Sequence, residues 1–166
     1  MKHRESEQTQ LRVSRLLNRD SVMLHAEMPS VQTALETLVE LQESNGVITN
    51  GTAYYKAVCE RERAGGTTAI GEGLAIPHAC NAGVASLGLA ALTLTRGLDW
   101  GAADGKLVDM IFMVALPPDR QSDHLLFLAR LVNLLSDHRL TEKLRMADTR
   151  EAFIRILNQT EAAIFA

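Results

Sequence analysis

Apolar residues recur at helical spacing from Ser30 to Ser44, at Val31, Ala34, Leu35, Leu38 and Leu41, and Asn45-Gly46 supplies a stop. A second helix follows, capped by Thr49 or Asn50, with Tyr54, Ala57 and Val58 on one side and its end near Gly65-Gly66. The pattern then changes. Leu87 to Thr95 and Val108 to Leu116 are nearly continuous apolar runs, as expected of strands covered on both faces. Ser21 to His25 reads as a further strand, and Asp99 to Lys106 as a turn-rich loop between the two long runs. Pro117-Pro118 closes the second run, after which Ser122 or Asp123 caps a helix carrying Leu125, Leu128, Val132 and Leu135. Asp148-Thr149-Arg150-Glu151 is a variant capping box ahead of Phe153, Ile156 and Leu157 in a last helix. At the other end, Met1 to Gln10 are polar and expected to fray, while Leu11, Val13, Leu16 and Leu17 predict a short amphipathic helix. Strands interleaved with helices predict an α/β domain, its mixed sheet sandwiched between helical layers.

Composition narrows the function classes. A chain of 166 residues, 46% hydrophobic and 22% charged, fits one globular domain with a sizeable core. A net charge of −3 without a basic stretch argues against a nucleic-acid surface. The apolar run near Met110 to Leu116 is too short to span a bilayer, and the polar start lacks a signal-peptide apolar region, so a cytoplasmic location is expected. Cys59 and Cys80 are too few for a disulfide framework and suit a reducing compartment.

The chemistry concentrates between Thr67 and Cys80. Gly71 and Gly73 make a tight bend, Leu74-Ala75-Ile76 reads as a short buried strand, and Pro77 ends it, which leaves His78 at a strand end. Proline stiffens the backbone there while the imidazole faces a cleft, so His78 is a candidate nucleophile or metal ligand. His124 lies just inside the helix that begins near Ser122, where unpaired N–H groups and the helix dipole suit a phosphoryl group. Read alone, His124 is a polar residue at a helix start, and Arg61-Glu62-Arg63 is a solvated helix end. His3, His25 and His138 have no partner pattern and are read as surface residues. A zinc site from His78, Cys80, Cys59 and His124 lacks the paired spacing that such sites use. No Gly-x-x-x-x-Gly-Lys-Ser/Thr loop is present for a nucleotide.

Gly71-Glu72-Gly73-Leu74-Ala75-Ile76-Pro77-His78-Ala79 resembles the phosphorylation-site signature of type-2 IIA components of the phosphoenolpyruvate-dependent sugar phosphotransferase system, the class of mannitol, fructose and nitrogen-regulatory members. The resemblance covers roughly Ser21 to Glu161. It implies a mixed, mostly parallel sheet between helices, with residues 1–20 as an N-terminal segment, partly helical or frayed, and 21–166 as the IIA domain. It also implies roles. His78 takes a phosphoryl group on Nε2 from the histidine phosphocarrier HPr and passes it to a cysteine of a IIB component, with no cofactor, metal or nucleotide. His124, which follows an apolar strand and a proline-containing loop as the family's second histidine does, stabilises the phosphoryl group. Family members carry Arg-Glu three residues before Ser-Thr-Gly or Ser-Thr-Ala; here Arg61-Glu62 stands four residues before Thr67-Thr68-Ala69, so Arg61 is the phosphate arginine with Arg63 as the alternative. Contact with a membrane would be indirect, through the IIC transporter.

Asp104-Gly105, then Val108 to Leu116, His124-Leu125 and Leu128 to Leu131 look most like fructose-type members. Cys80 and Asn81 depart from the lysine and threonine that often follow Pro-His-Ala there. A nitrogen-type regulatory protein, acting as a phosphorylation-dependent binding module, is the rival expectation.

Overall fold

A computed structural model of the chain describes residues 12–119 and 121–165. Its elements in order are α1 (Val13–Leu16), a 3-10 turn (Arg19–Ser21), β1 (Val22–Ala26), α2 (Val31–Ser44), α3 (Gly51–Ala64), β2 (Ala69–Gly71), β3 (Leu74–Ala75), β4 (His78–Cys80), β5 (Gly88–Leu98), β6 (Val108–Leu116), α4 (Gln121–Leu135), α5 (His138–Met146) and α6 (Arg150–Ile164). The fraying expected of Met1 to Gln10, the helical place of Leu11 and the surface reading of His3 lie outside the described residues.

β6 is the centre of the sheet because its side chains are apolar on both faces, and all but Asp109 are buried. One edge pairs antiparallel with β5; the other pairs parallel with β3 and β4. β1 runs parallel to β5, and β2 forms an antiparallel hairpin with β3. The result is an open, mostly parallel mixed sheet between helices.

Strand alternation splits the core in two. Met110, Phe112, Val114 and Leu116 face α1, α4, α5 and α6 and pack with Phe127, Leu131, Leu144, Phe153 and Leu157. Phe112 and Phe153 have ring centroids 6.0 Å apart. Ile111, Met113 and Ala115 face α2 and α3 and pack with Leu35, Leu38, Tyr54 and Val58.

The starts of α2 and α6 lie within one residue of where the sequence puts them, with the cap of α6 at Thr149 and not at the Asp148 that opens the capping box. Ser30 accepts from the Thr33 N–H and Thr149 from the Ala152 N–H, each as an N-cap. Asn50, not Thr49, caps α3 by accepting from Ala53.

Three readings need correction. Helix α4 starts at Gln121, so Ser122 and Asp123 stand within its first turn and are not its cap. Its inward face is His124, Phe127, Leu131 and Leu134, whereas Leu125 and Val132 are 68% and 43% exposed. A helix apolar nearly all round has no unique stripe, so the pattern leaves its phase open. Helix α5 is missing from the sequence reading because only Leu140, Thr141 and Leu144 are buried along it, too few to make a period.

The short helix α1 is held by a carboxylate from far along the chain. Glu161 has no exposed surface and accepts from the N–H of Val13 (2.8 Å), the N–H of Ser14 (3.1 Å) and the Ser14 hydroxyl (2.8 Å). These are first-turn donors that a helix cannot satisfy internally. Arg130 Nε on α4 completes the set at 3.0 Å. Burial raises the Glu161 pKa, but the Ser14 and Val13 donors with Arg130 outweigh it and hold the carboxyl below the usual range.

Candidate active site

The sequence reading ends a strand at Pro77. In the structure the strand resumes: Leu74 pairs with Met110 and His78 with Val114, in the same register on both sides of the proline. Pro77 has no N–H to give, which interrupts the ladder, yet its carbonyl still accepts from the Val114 N–H at 2.9 Å. His78 therefore opens β4 on a fixed backbone.

Its ring is half-buried, with Nδ1 2.7 Å from the Ile76 carbonyl oxygen. A carbonyl can only accept, so Nδ1 carries the proton. In the neutral ring Nε2 then holds the free lone pair.

Below the strand, on the α2–α3 face, Tyr54 is fully buried and donates its hydroxyl to the Val114 carbonyl at 2.7 Å. Burial pushes this phenol far above its usual pKa, an effect partly offset by the Ala79 backbone amide. The hydroxyl thus ties α3 to the β6 residue paired with His78. Tyr54→Phe should cost about 1–2 kcal/mol of unfolding free energy, because the Val114 carbonyl loses a buried donor. Urea titration with an unchanged slope is the check.

His78 shares a face with its register partner Val114, which belongs to the α4 side of the core. His124, 6% exposed in the first turn of α4, stands three and seven residues before Phe127 and Leu131, which pack into the same side. Both histidines are thus brought to one face of the sheet, near the end of β6 that leads into α4.

Arg61 comes from the opposite layer. It is in the last turn of α3, half-buried, and its Nη1 has no hydrogen-bond partner among the described residues. The guanidinium lies over Gly65, where any Cβ would collide with it. Arg63 is exposed, and its Nε donates back to the Cys59 carbonyl of its own helix at 3.4 Å. Glu62 accepts from the N–H and hydroxyl of Thr68, and the Thr68 carbonyl accepts from the Ile76 N–H at 3.0 Å. The turn after Arg61 is thereby anchored beside the strand that leads to His78.

Sequence reasoning misses the clamp on the preceding bend. Gly71, Glu72 and Gly73 all have positive φ, at 93°, 57° and 80°. For Glu72 this is unfavourable, and it is held by three groups: Asp104 accepts from its N–H at 2.8 Å, Arg145 donates to its carbonyl, and Lys106 pairs with its carboxylate at 2.8 Å. Asp109 anchors Arg145 at 3.0 Å. The glycine pair signals the bend, but nothing in the sequence links it to Arg145.

The remaining candidates are dispersed. Cys80 donates its thiol to the Pro117 carbonyl, Cys59 packs against the α2–α3 side of the core, and no group of three potential metal ligands occurs among the described residues. His25 Nε2 bonds the Ala147 carbonyl at 2.8 Å and so is tied to the chain after α5. No helix among the described residues is long and apolar enough to cross a membrane.

An open, mostly parallel sheet thus carries a proline-fixed histidine, and a second histidine stands in the first turn of a covering helix. The chain belongs to the family described as phosphoenolpyruvate-dependent sugar phosphotransferase system, EIIA 2, whose model matches residues 15–160. Membership places it among the phosphotransfer components of such systems. It is 30% identical over 149 residues to the fructose-specific EIIABC component of Bacillus subtilis, covering 90% of this chain but 23% of that protein. The chain thus spans about a quarter of the length of such multi-component relatives. It is 32% identical over 142 residues to a nitrogen regulatory protein of Bradyrhizobium diazoefficiens, covering 83% of this chain and 92% of that one. The crystal structure of nitrogen regulatory protein IIA-Ntr from Neisseria meningitidis superposes with a TM-score of 0.81 at 27% identity, over 87% of this chain and 98% of that one.

Proposed function

We propose that the protein is a phosphocarrier whose His78 Nε2 accepts a phosphoryl group from HPr and passes it to a cysteine of a IIB component, in fructose-type sugar uptake. The observation that carries this reading is the Nδ1 to Ile76 carbonyl bond, which leaves Nε2 as the nucleophilic nitrogen. In the first step the phosphorus–nitrogen bond of the donor breaks as one to His78 forms. In the second, the IIB thiolate displaces His78 and a phosphorus–sulfur bond forms. Such transfers depend on in-line positioning and stabilisation of charge on the phosphoryl oxygens. His124, an imidazole buried at a helix start, and Arg61, with a guanidinium nitrogen unbonded, supply the donors.

His124→Ala and Arg61→Ala should each still be phosphorylated but transfer more slowly, by roughly 10²-fold for the loss of one preorganised donor. Arg63→Ala should transfer at the wild-type rate. Rapid-quench transfer from HPr measures all three, and a slow Arg63→Ala with a normal Arg61→Ala would reassign the phosphate arginine.

A second reading, a nitrogen-type regulatory protein that signals through its phosphorylation state, is favoured by the similarity to the Bradyrhizobium and Neisseria proteins. Transfer from the phosphorylated protein to purified fructose-type IIB separates the two: rapid transfer supports uptake, and none supports regulation.

A further inference from the structure

We propose that the pocket between α2, α3 and the turn at Trp100 is a binding site for a small organic anion with an apolar body, separate from His78. The pocket encloses about 710 Å³, within the range of small-molecule sites. It lies on the α2–α3 side of the sheet, whereas His78 faces the α4 side.

Its wall combines two kinds of surface. Val31, Leu35, Tyr55 and Trp100 offer an apolar and aromatic bed. Lys56 and Arg63, seven residues apart on α3, place two cations on the same rim. Neither cation has an ion-pair partner among the described residues.

The two acids of the lining are turned to internal use. Glu62 accepts from both the N–H and hydroxyl of Thr68, and Asp99 accepts from the Gly101 N–H at 3.0 Å. The charged side chains of the lining without an internal ion-pair partner are therefore the two cations. Trp100, 7% exposed, stands in the same wall, its indole N–H unbonded among the described residues and closed to solvent. An anionic head for the cations with an aryl or aliphatic body for the bed matches this set.

Trp100 is the single tryptophan of the chain, so ¹⁵N-labelled protein gives one indole N–H resonance. Three probes share one body and differ in charge: 1-naphthoate, 1-naphthylmethanol and 1-naphthylmethylamine. Titration with 1-naphthoate should shift the indole resonance and give a Kd about tenfold or more below that of the alcohol, with the amine weakest. The double variant Lys56→Gln, Arg63→Gln should lose this preference and keep its affinity for the alcohol. An indole resonance unmoved by every probe, equal affinity for all three, or an unchanged preference in the double variant overturns the proposal. No phosphoryl donor takes part, so failure here leaves the reading of His78 intact.

Discussion

Incubated with phosphoenolpyruvate, enzyme I and HPr, the wild-type protein should gain one phosphoryl group, and His78→Ala should gain none. The adduct should survive base and decay in acid, as a phosphorus–nitrogen bond requires. The loss should be complete because the nucleophilic ring itself is gone. His124, the histidine brought to the same face, is buried in the first turn of α4. The His78 imidazole is half-exposed beside a strand fixed by Pro77, so its removal should leave the thermal transition near that of the wild type. Intact-mass spectra over a time course read the labelling, and full labelling of His78→Ala would sink the assignment of the nucleophile.

Glu161→Ala should unfold the protein far more easily than a surface substitution. It leaves the N–H groups of Val13 and Ser14 without acceptors and strips Arg130 of its ion-pair partner. Removing one member of a buried charged set typically costs about 3–5 kcal/mol, which for a chain of this size lowers Tm by on the order of 10 °C. Acid should act through the same carboxyl. Its native pKa is held below the value of about 4.3 expected unfolded, so the unfolded state binds the proton first. The stabilisation is therefore fully present above about pH 5 and is lost as the pH falls through the native value. Glu161→Gln should flatten that acid limb, since glutamine does not titrate. Calorimetry between pH 3 and 7 tests this, and an acid limb equal to wild type in Glu161→Gln would show that other carboxyls dominate.

Much of this architecture is legible in the residues because its signals are local. Val108 to Leu116 is a strand with those same bounds, since nine residues apolar but for Asp109 leave little room for another reading. The caps at Ser30 and Thr149 and the bend at Gly71 are likewise written within four residues of where they act. His78 and His124 stand out through short motifs, and β-sheet alternation brings them to one face. What the sequence hides is long-range. No local signal tells that Glu161 receives α1, that Arg145 holds Glu72, or that the Tyr54 hydroxyl reaches Val114. Helix α4 shows the other limit, because burial of Leu131 and exposure of Leu125 depend on which side meets the sheet and not on hydrophobicity.

Among the described residues β4 pairs with β6 alone, so its outer edge is a sheet margin next to His78. Exposed margins invite strand addition by other chains, and natural proteins blunt them with short strands and prolines. β4 is three residues long and follows Pro77 directly, and Asn81 turns the chain away by accepting from the Gly83 N–H at 2.8 Å. A self-associated sheet formed through this margin would cover His78 and close it to any partner. The proline that stiffens the backbone before the histidine thus also guards against aggregation, keeping the imidazole open to short-lived encounters and closed to permanent ones.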